Sequence, residues 1–284
     1  MRQRLAAWLA VLIAAVLVAA CSTADFAYRN AGTLYDNAPA LIAWSIDDYL
    51  DLTPEQKDFA RARLEKALAW HRHAALPGYG RFLAELDRQV DAGLDAAALE
   101  ADRGRLREFY HDIAEHLLPD AADLFAMLDA SQVDELARRL AKADARMLEE
   151  SRDSRERGLK RTLQHLEAWT GPLTGPQREL VKTRVRATPD LTPQRVAEWR
   201  ARQAQLVALM RARPPRDAMV QALHALLFDT DAWRDPAYGQ ALEERDAQMI
   251  QMLADLARTL TPAQVAHIHE RIRGLQAAIA KAAA

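Results

Sequence analysis

One short pattern recurs along the chain and limits what it can become. It is clearest in Leu52-Thr53-Pro54-Glu55-Gln56, Leu173-Thr174-Gly175-Pro176-Gln177 and Leu260-Thr261-Pro262-Ala263-Gln264. Variants stand at Leu128-Asp129-Ala130-Ser131-Gln132 and Leu191-Thr192-Pro193-Gln194-Arg195. Thr or Asp at an N-cap accepts a bond from the N3 amide, and Gln at N3 reaches back to the N-cap amide. Pro is favoured near the first helical position, where its missing N–H is not needed. The pattern therefore predicts helix starts capped by Thr53, Asp129, Thr174, Thr192 and Thr261, with Gln56, Gln132, Gln177 and Gln264 closing the boxes. The preceding Leu can staple onto Val133 after Leu128 and onto Val265 after Leu260, but meets Lys57 after Leu52.

Between these starts the apolar residues fall at three- and four-residue steps, as in Leu136, Leu140, Ala143 and Met147, in Met219, Leu223, Leu226 and Leu227, or in Met249, Met252, Leu253 and Leu256. That period belongs to amphipathic helices, and the alternation of β-strands is missing. The expected fold is an all-α, multi-helix bundle of about ten helices. Breaks are expected at Leu76-Pro77-Gly78, Gly93-Leu94-Asp95, Leu118-Pro119-Asp120, Thr188-Pro189-Asp190, Pro214-Pro215 and Asp235-Pro236.

The caps at Thr53 and Asp129 stand 76 residues apart and those at Thr174 and Thr261 stand 87 apart, which reads as two tandem related halves, 36–150 and 151–284. Glu149 to Gly158 is polar on every side, with Glu156 and Lys160 a favourable i,i+4 pair. One long helix from about Ser131 to Trp169 is expected to join the halves, ended by Thr170-Gly171-Pro172.

The beginning of the chain reads differently. Arg2 and Arg4 precede an uncharged run, Leu5 to Ala20, of 16 residues. That is short of the roughly 18 to 20 of a spanning helix and fits a cleaved signal peptide over 1–20. Cys21 is the sole cysteine in 284 residues, and a lone thiol is awkward in an oxidising compartment. Leu17-Val18-Ala19-Ala20-Cys21 resembles the lipobox of bacterial lipoproteins, with Val18 where Leu is more usual. The resemblance implies acylation of Cys21, a membrane-lipid anchor, and a spacer over 21–35 in which Tyr28 and Tyr35 either rest at the lipid interface or dock on the body. Ser22, where Asp would retain such a protein in the inner membrane, implies an outer-membrane location facing the periplasm. Each buried methylene contributes about 0.8 kcal/mol, so several acyl chains hold a protein stably.

The 38 Lys and Arg nearly balance the 40 Asp and Glu, for a net charge of −2, and loss of Arg2 and Arg4 makes it −4. No basic face for nucleic acid is indicated. Gly-x-Ser-x-Gly elbows, phosphate loops and Gly-rich fingerprints are absent from the sequence, so an enzyme is not expected and no cofactor is implied.

Among the eight histidines, His71 with His73 and His267 with His269 are two apart, which splays them about 200° on a helix. His111 to Glu115 and Asp112 to His116 are better spaced, and Glu108-x-x-His111 is half of a di-iron motif whose second half is missing. His111 and His116 are the candidate metal ligands, set against the plainer reading of surface histidines. Asp47, Asp48 and Asp51 read as a solvated helix end. Trp44, Tyr49, Phe59 and Trp70 read as core, while Trp70, Arg72 and Tyr79 are the candidate surface for an extended client.

The Leu-Thr-x-x-Gln signature resembles the periplasmic Spy/CpxP group, helical proteins whose dimers form a cradle for unfolded envelope proteins and one branch of which senses zinc. The whole chain is similar to an uncharacterised family of proteobacterial lipoproteins with a lipobox, here Cys21, a Tyr-Leu-x-Leu-Thr-Pro-x-Gln start, here Tyr49 to Gln56, and Trp70-His71-Arg72 with Leu76-Pro77-Gly78-Tyr79. These resemblances imply a single-chain cradle that binds periplasmic or outer-membrane proteins as a chaperone or stress adaptor. A structural scaffold with one fixed partner and a metal sensor or buffer are the alternatives, and the oligomeric state is left open.

Overall fold

A computed structural model describes residues 35–151 and 154–284, leaving out the side chains of 146–154. The signal segment, Cys21 and Tyr28 lie outside the described residues. The chain is all-α, with no strand among the described residues. In order, the helices are α1 Ala38–Leu50, α2 Pro54–Trp70, α3 Leu76–Ala92, α4 Ala96–Met127, α5 Ala130–Ser151, α6 Ser154–Thr170, α7 Gly175–Ala187, α8 Thr192–Ala212, α9 Arg216–Phe228, α10 Pro236–Ala257 and α11 Pro262–Ala283. The junction of α5 and α6, where one long helix is expected, falls on residues 152 and 153, outside the described residues.

Four of the five expected starts close as boxes. The amides of Gln56, Gln177 and Gln264 donate to the hydroxyls of Thr53, Thr174 and Thr261 at 3.3, 3.4 and 3.3 Å, and each Gln Oε1 accepts the N-cap amide at 2.9, 2.9 and 3.0 Å. Asp129 and Gln132 make the same two bonds at 2.9 and 3.0 Å. Thr192 is the exception. It is the first residue of α8, makes no cap, and donates its amide to Asp190 Oδ1 at 3.0 Å. Its motif places Gln194 two residues on instead of three, too early to reach back.

The four box glutamines are buried and interlock in two pairs. Gln56 Nε2 donates to Gln132 Oε1 at 3.1 Å and Gln132 Nε2 to Gln56 Oε1 at 2.7 Å; Gln177 and Gln264 exchange both bonds at 2.9 Å. The remaining amide proton goes, in every case, to the carbonyl two residues before the partner's N-cap. Gln56 reaches Met127 at 2.8 Å, Gln132 reaches Asp51 at 2.9 Å, Gln177 reaches Thr259 at 2.8 Å and Gln264 reaches Pro172 at 3.0 Å. Each glutamine thus fills its amide's donors and acceptors while tying two distant helix starts together, which is how a polar side chain can be buried at little penalty.

Two expected breaks do not occur. Pro119 lies inside α4, and Pro77 lies near the start of α3, which continues from α2 through a π turn at His71–Ala75. Proline has no N–H for the carbonyl four residues back. At Pro77 the helix widens so that the amide of Leu76 bonds to His71 O, five residues back, and π turns of this kind often sit at functional places. Around Pro119 the helix is held by burial of Leu117, Leu118, Ala122 and Leu124.

The buried side chains do not divide at residue 150. Leu76, Tyr79, Leu83, Ile113 and Leu117 pack with Ile268, Ile272, Leu275 and Ile279. Leu50, Leu128, Val133, Leu136 and Leu140 pack with Val207 and Met210, and Leu118 and Ala122 with Met219 and Leu223. Thus α3 packs on α11, α5 on α8, and α4 on both α9 and α10. The expected staple pair, Leu128 and Val133, lies in this core, and both side chains are fully covered. No described helix is long and apolar enough to cross a membrane.

Candidate functional site

The widened turn after α2 fixes an aromatic centre. His71 is buried with its Nδ1 2.7 Å from Tyr35 Oη and its Nε2 3.2 Å from Tyr79 Oη, so one ring nitrogen donates and the other accepts. Burial lowers the His71 pKa to about 4 and raises those of both tyrosines, with Arg72 partly opposing the rise at Tyr35. Tyr35 therefore docks on the body, which begins at the end of the expected spacer. Arg72 donates Nε to Ala282 O at 2.9 Å, pairs with Asp36, and lies over the Tyr35 ring.

These contacts replace the expected client surface. Tyr79 is only 7 % exposed and Arg72 is engaged by Asp36 and the end of α11. Trp70 is half-buried and stacked flat on His116, ring centroids 3.9 Å apart at 9°. Trp44, read as core, is instead 65 % exposed on α1, beside Leu41 at 53 %. With Leu106 these are the large apolar side chains left exposed among the described residues, so no broad apolar face exists there.

His111 and His116 do not meet. Five residues on a helix turn through about 500°, placing them roughly 140° apart, whereas His111 and Glu115 differ by only about 40°. His116 goes to Trp70, and burial lowers its pKa, partly offset by Asp120. His111 and Glu115 instead meet His224 of α9: Glu115 Oε1 is 3.0 Å from His224 Nε2 and 3.9 Å from His111 Nε2. A donor atom from each of the three lies within 4.8 Å of the others, and this is the cluster of potential metal ligands among the described residues. Phe228, one turn beyond His224, sets its ring 4.5 Å from that of His111 and 5.0 Å from that of His224. The i,i+4 spacing of His111 and Glu115 was visible in the sequence. His224, 113 residues after His111, carried no local signal.

Glu115 also borders an open cleft of about 540 Å³ lined by Trp70, Tyr79, Arg81, Arg105, Asp112 and His116. A second space is different in kind. About 170 Å³ lies among α1, α2, α4, α5, α8 and α9, walled by Ile46, Phe59, Leu124, Leu206, Leu223 and other apolar side chains. Its few charged neighbours are Arg63 and Asp120, paired at 3.4 Å, and Arg202, which lies over the Trp233 ring. A cavity of about 150 Å³ with Leu, Ile and Phe walls stays dry and takes up a benzene-sized apolar guest.

No curated protein and no solved structure matches the chain. The model of a family of unknown function, DUF6279, matches residues 48–239, from within α1 to the start of α10 and including His111, Glu115, His224 and the walls of the apolar cavity other than Ile46. Matched over two thirds of its length, the chain therefore belongs to this family of unknown function, DUF6279.

Proposed function

We propose that the protein is a non-enzymatic binding protein of the bacterial envelope, acylated at Cys21, held at the outer membrane and facing the periplasm, that takes an apolar segment of a periplasmic protein into the cavity between α4 and α8. The observation that carries this reading is the cavity itself. Its walls are almost wholly apolar, and an apolar guest seated against them gains about 25 cal/mol per Å² of apolar surface removed from water.

The buried state of Gln56, Gln132, Gln177 and Gln264 argues that the Leu-Thr-x-x-Gln starts serve the fold and leave client binding to other surfaces. The scarcity of exposed apolar side chains favours a selective adaptor or chaperone-like binder over a broad cradle.

The test uses the mature chain without its acyl group. It is expected to suppress aggregation of an unfolded client at near-stoichiometric ratio, and Ala121→Phe, which fills the cavity, is expected to abolish that suppression while the helical signal persists. Equal suppression by the filled variant, or none by the parent, overturns the reading. Mass analysis of the mature N-terminus checks the anchor: an unacylated Cys21 removes it.

A further inference from the structure

The geometry points to a transition-metal site formed by His111 and Glu115 of α4 with His224 of α9, suited to zinc or a similar borderline divalent ion. Two imidazole nitrogens and one carboxylate oxygen are the ligand set such ions prefer, whereas magnesium and calcium prefer oxygens alone. With metal–ligand bonds of about 2.0 to 2.2 Å, neighbouring ligands of a tetrahedral ion stand roughly 3.3 Å apart. The Glu115 Oε1 to His224 Nε2 and Glu115 Oε1 to His111 Nε2 separations, 3.0 and 3.9 Å, bracket that edge. Small side-chain rotations bring both onto it.

The frame around the ligands is stiff. His111 and Glu115 are one turn apart on a 32-residue helix, and α9 packs along that helix. Phe228 rests against both imidazoles and closes one side with an apolar ring. Glu115 also lines the 540 Å³ cleft, and His111 and Glu115 are exposed, so water or a group from solution can take the fourth coordination position. The arrangement is that of three protein ligands with one exchangeable place, and it uses His224 where the sequence pointed to His116.

The plain alternative, an ion pair of Glu115 with His224, needs no metal, so the test is a metal titration. Metal-free mature protein is titrated with zinc against a competing chelator dye. One zinc per chain with micromolar or tighter affinity is expected, with no uptake of magnesium at the same concentration. His111→Ala and His224→Ala are each expected to weaken zinc binding at least about tenfold, a loss of about 1.4 kcal/mol. His116→Ala is expected to leave it unchanged. All three histidines are partly exposed, and circular dichroism verifies that each variant keeps its helices. Absence of zinc binding at micromolar metal, or zinc affinity unchanged in the His111→Ala/His224→Ala double variant, overturns the site.

Discussion

The Gln56–Gln132 and Gln177–Gln264 pairs make the same bonds in different surroundings. Both join two capped helix starts, and both send each spare amide proton to the carbonyl two residues ahead of the partner's cap. Around the first, Leu50, Leu52, Leu128 and Val133 draw in Val207 and Met210 of α8, and the guanidinium groups of Arg139 and Arg213 bond to the carbonyls of Asp48 and Leu128. Around the second stand Leu173, Val181, Met252 and Leu256. The chain enters the first through Asp51 in a left-handed conformation (φ 50°) and the second through Gly171 (φ 73°), where a Cβ would touch the His267 ring. A latch made from two four-residue boxes thus tolerates different linkers and neighbours, because its bonds close among the boxes and the backbone carbonyls just ahead of them.

The helices that leave the latches differ more. From the first, α2 runs to His71, buried and neutral between two tyrosines. From the second, α11 carries His269, held by Asp87 at 2.6 Å and Asp91 at 3.0 Å on α3. The bond to Asp87 is the largest cause of a raised pKa there, with Asp91 adding to it and desolvation opposing.

The largest test of the comparison removes one glutamine. Gln56→Ala loses a cap and strands buried amide and carbonyl groups, so unfolding in urea should show a loss of about 3 kcal/mol. Gln56→Ala/Gln132→Ala should cost about 1 kcal/mol less than the sum of its single variants. Gln56→Ala/Gln177→Ala should be additive within about 0.5 kcal/mol, since the two latches share no partner. Additivity within a latch breaks the idea that each acts as a unit.

A smaller effect separates the two histidines by sign. For His71 the folded pKa, about 4, lies below the unfolded value of 6.5. Its contribution is present above 6.5 and is lost as pH falls through the window toward 4. Acidifying from pH 7 to 5.5 should therefore cost about 1 kcal/mol, and His71→Gln should lose that sensitivity. His269 behaves oppositely: its folded pKa is raised, so its contribution is present below 6.5 and is lost as pH rises through the folded value. His269→Asn should make the acid loss steeper, though by less, because its bonds lie near solvent. A wild-type acid loss unchanged in His71→Gln would remove His71 as its source.

The smallest effect is a near-zero one. Thr53→Ala and Thr174→Ala should each cost about 1 kcal/mol, while Thr192→Ala should stay within a few tenths, because Thr192 caps nothing. An equal loss at Thr192 would show that the motif acts without closing a box.

The starts at Pro54, Ala130, Gly175 and Pro262 were legible because a capping box is complete within four residues. The amphipathic stripes were legible for the same local reason: Leu136, Leu140, Met219, Leu223, Met252 and Leu256 are all buried. Pro77 and Pro119 misled, since proline ends a helix only when nothing outside compensates, and here a π turn and a buried face do. Tyr79 and Trp44 exchanged their expected places because an aromatic side chain's burial depends on what packs over it.

An all-α chain, most of its helix starts and the i,i+4 juxtaposition of His111 with Glu115 follow from contacts within a turn or two, so they can be read from neighbouring residues. The clasp of starts 76 and 87 residues apart through their glutamines, the packing of α11 on α3 and the meeting of His224 with Glu115 appear only in the packed molecule. Those contacts are selected by the summed burial of whole helix faces, and that sum exists only once every helix has found its neighbours.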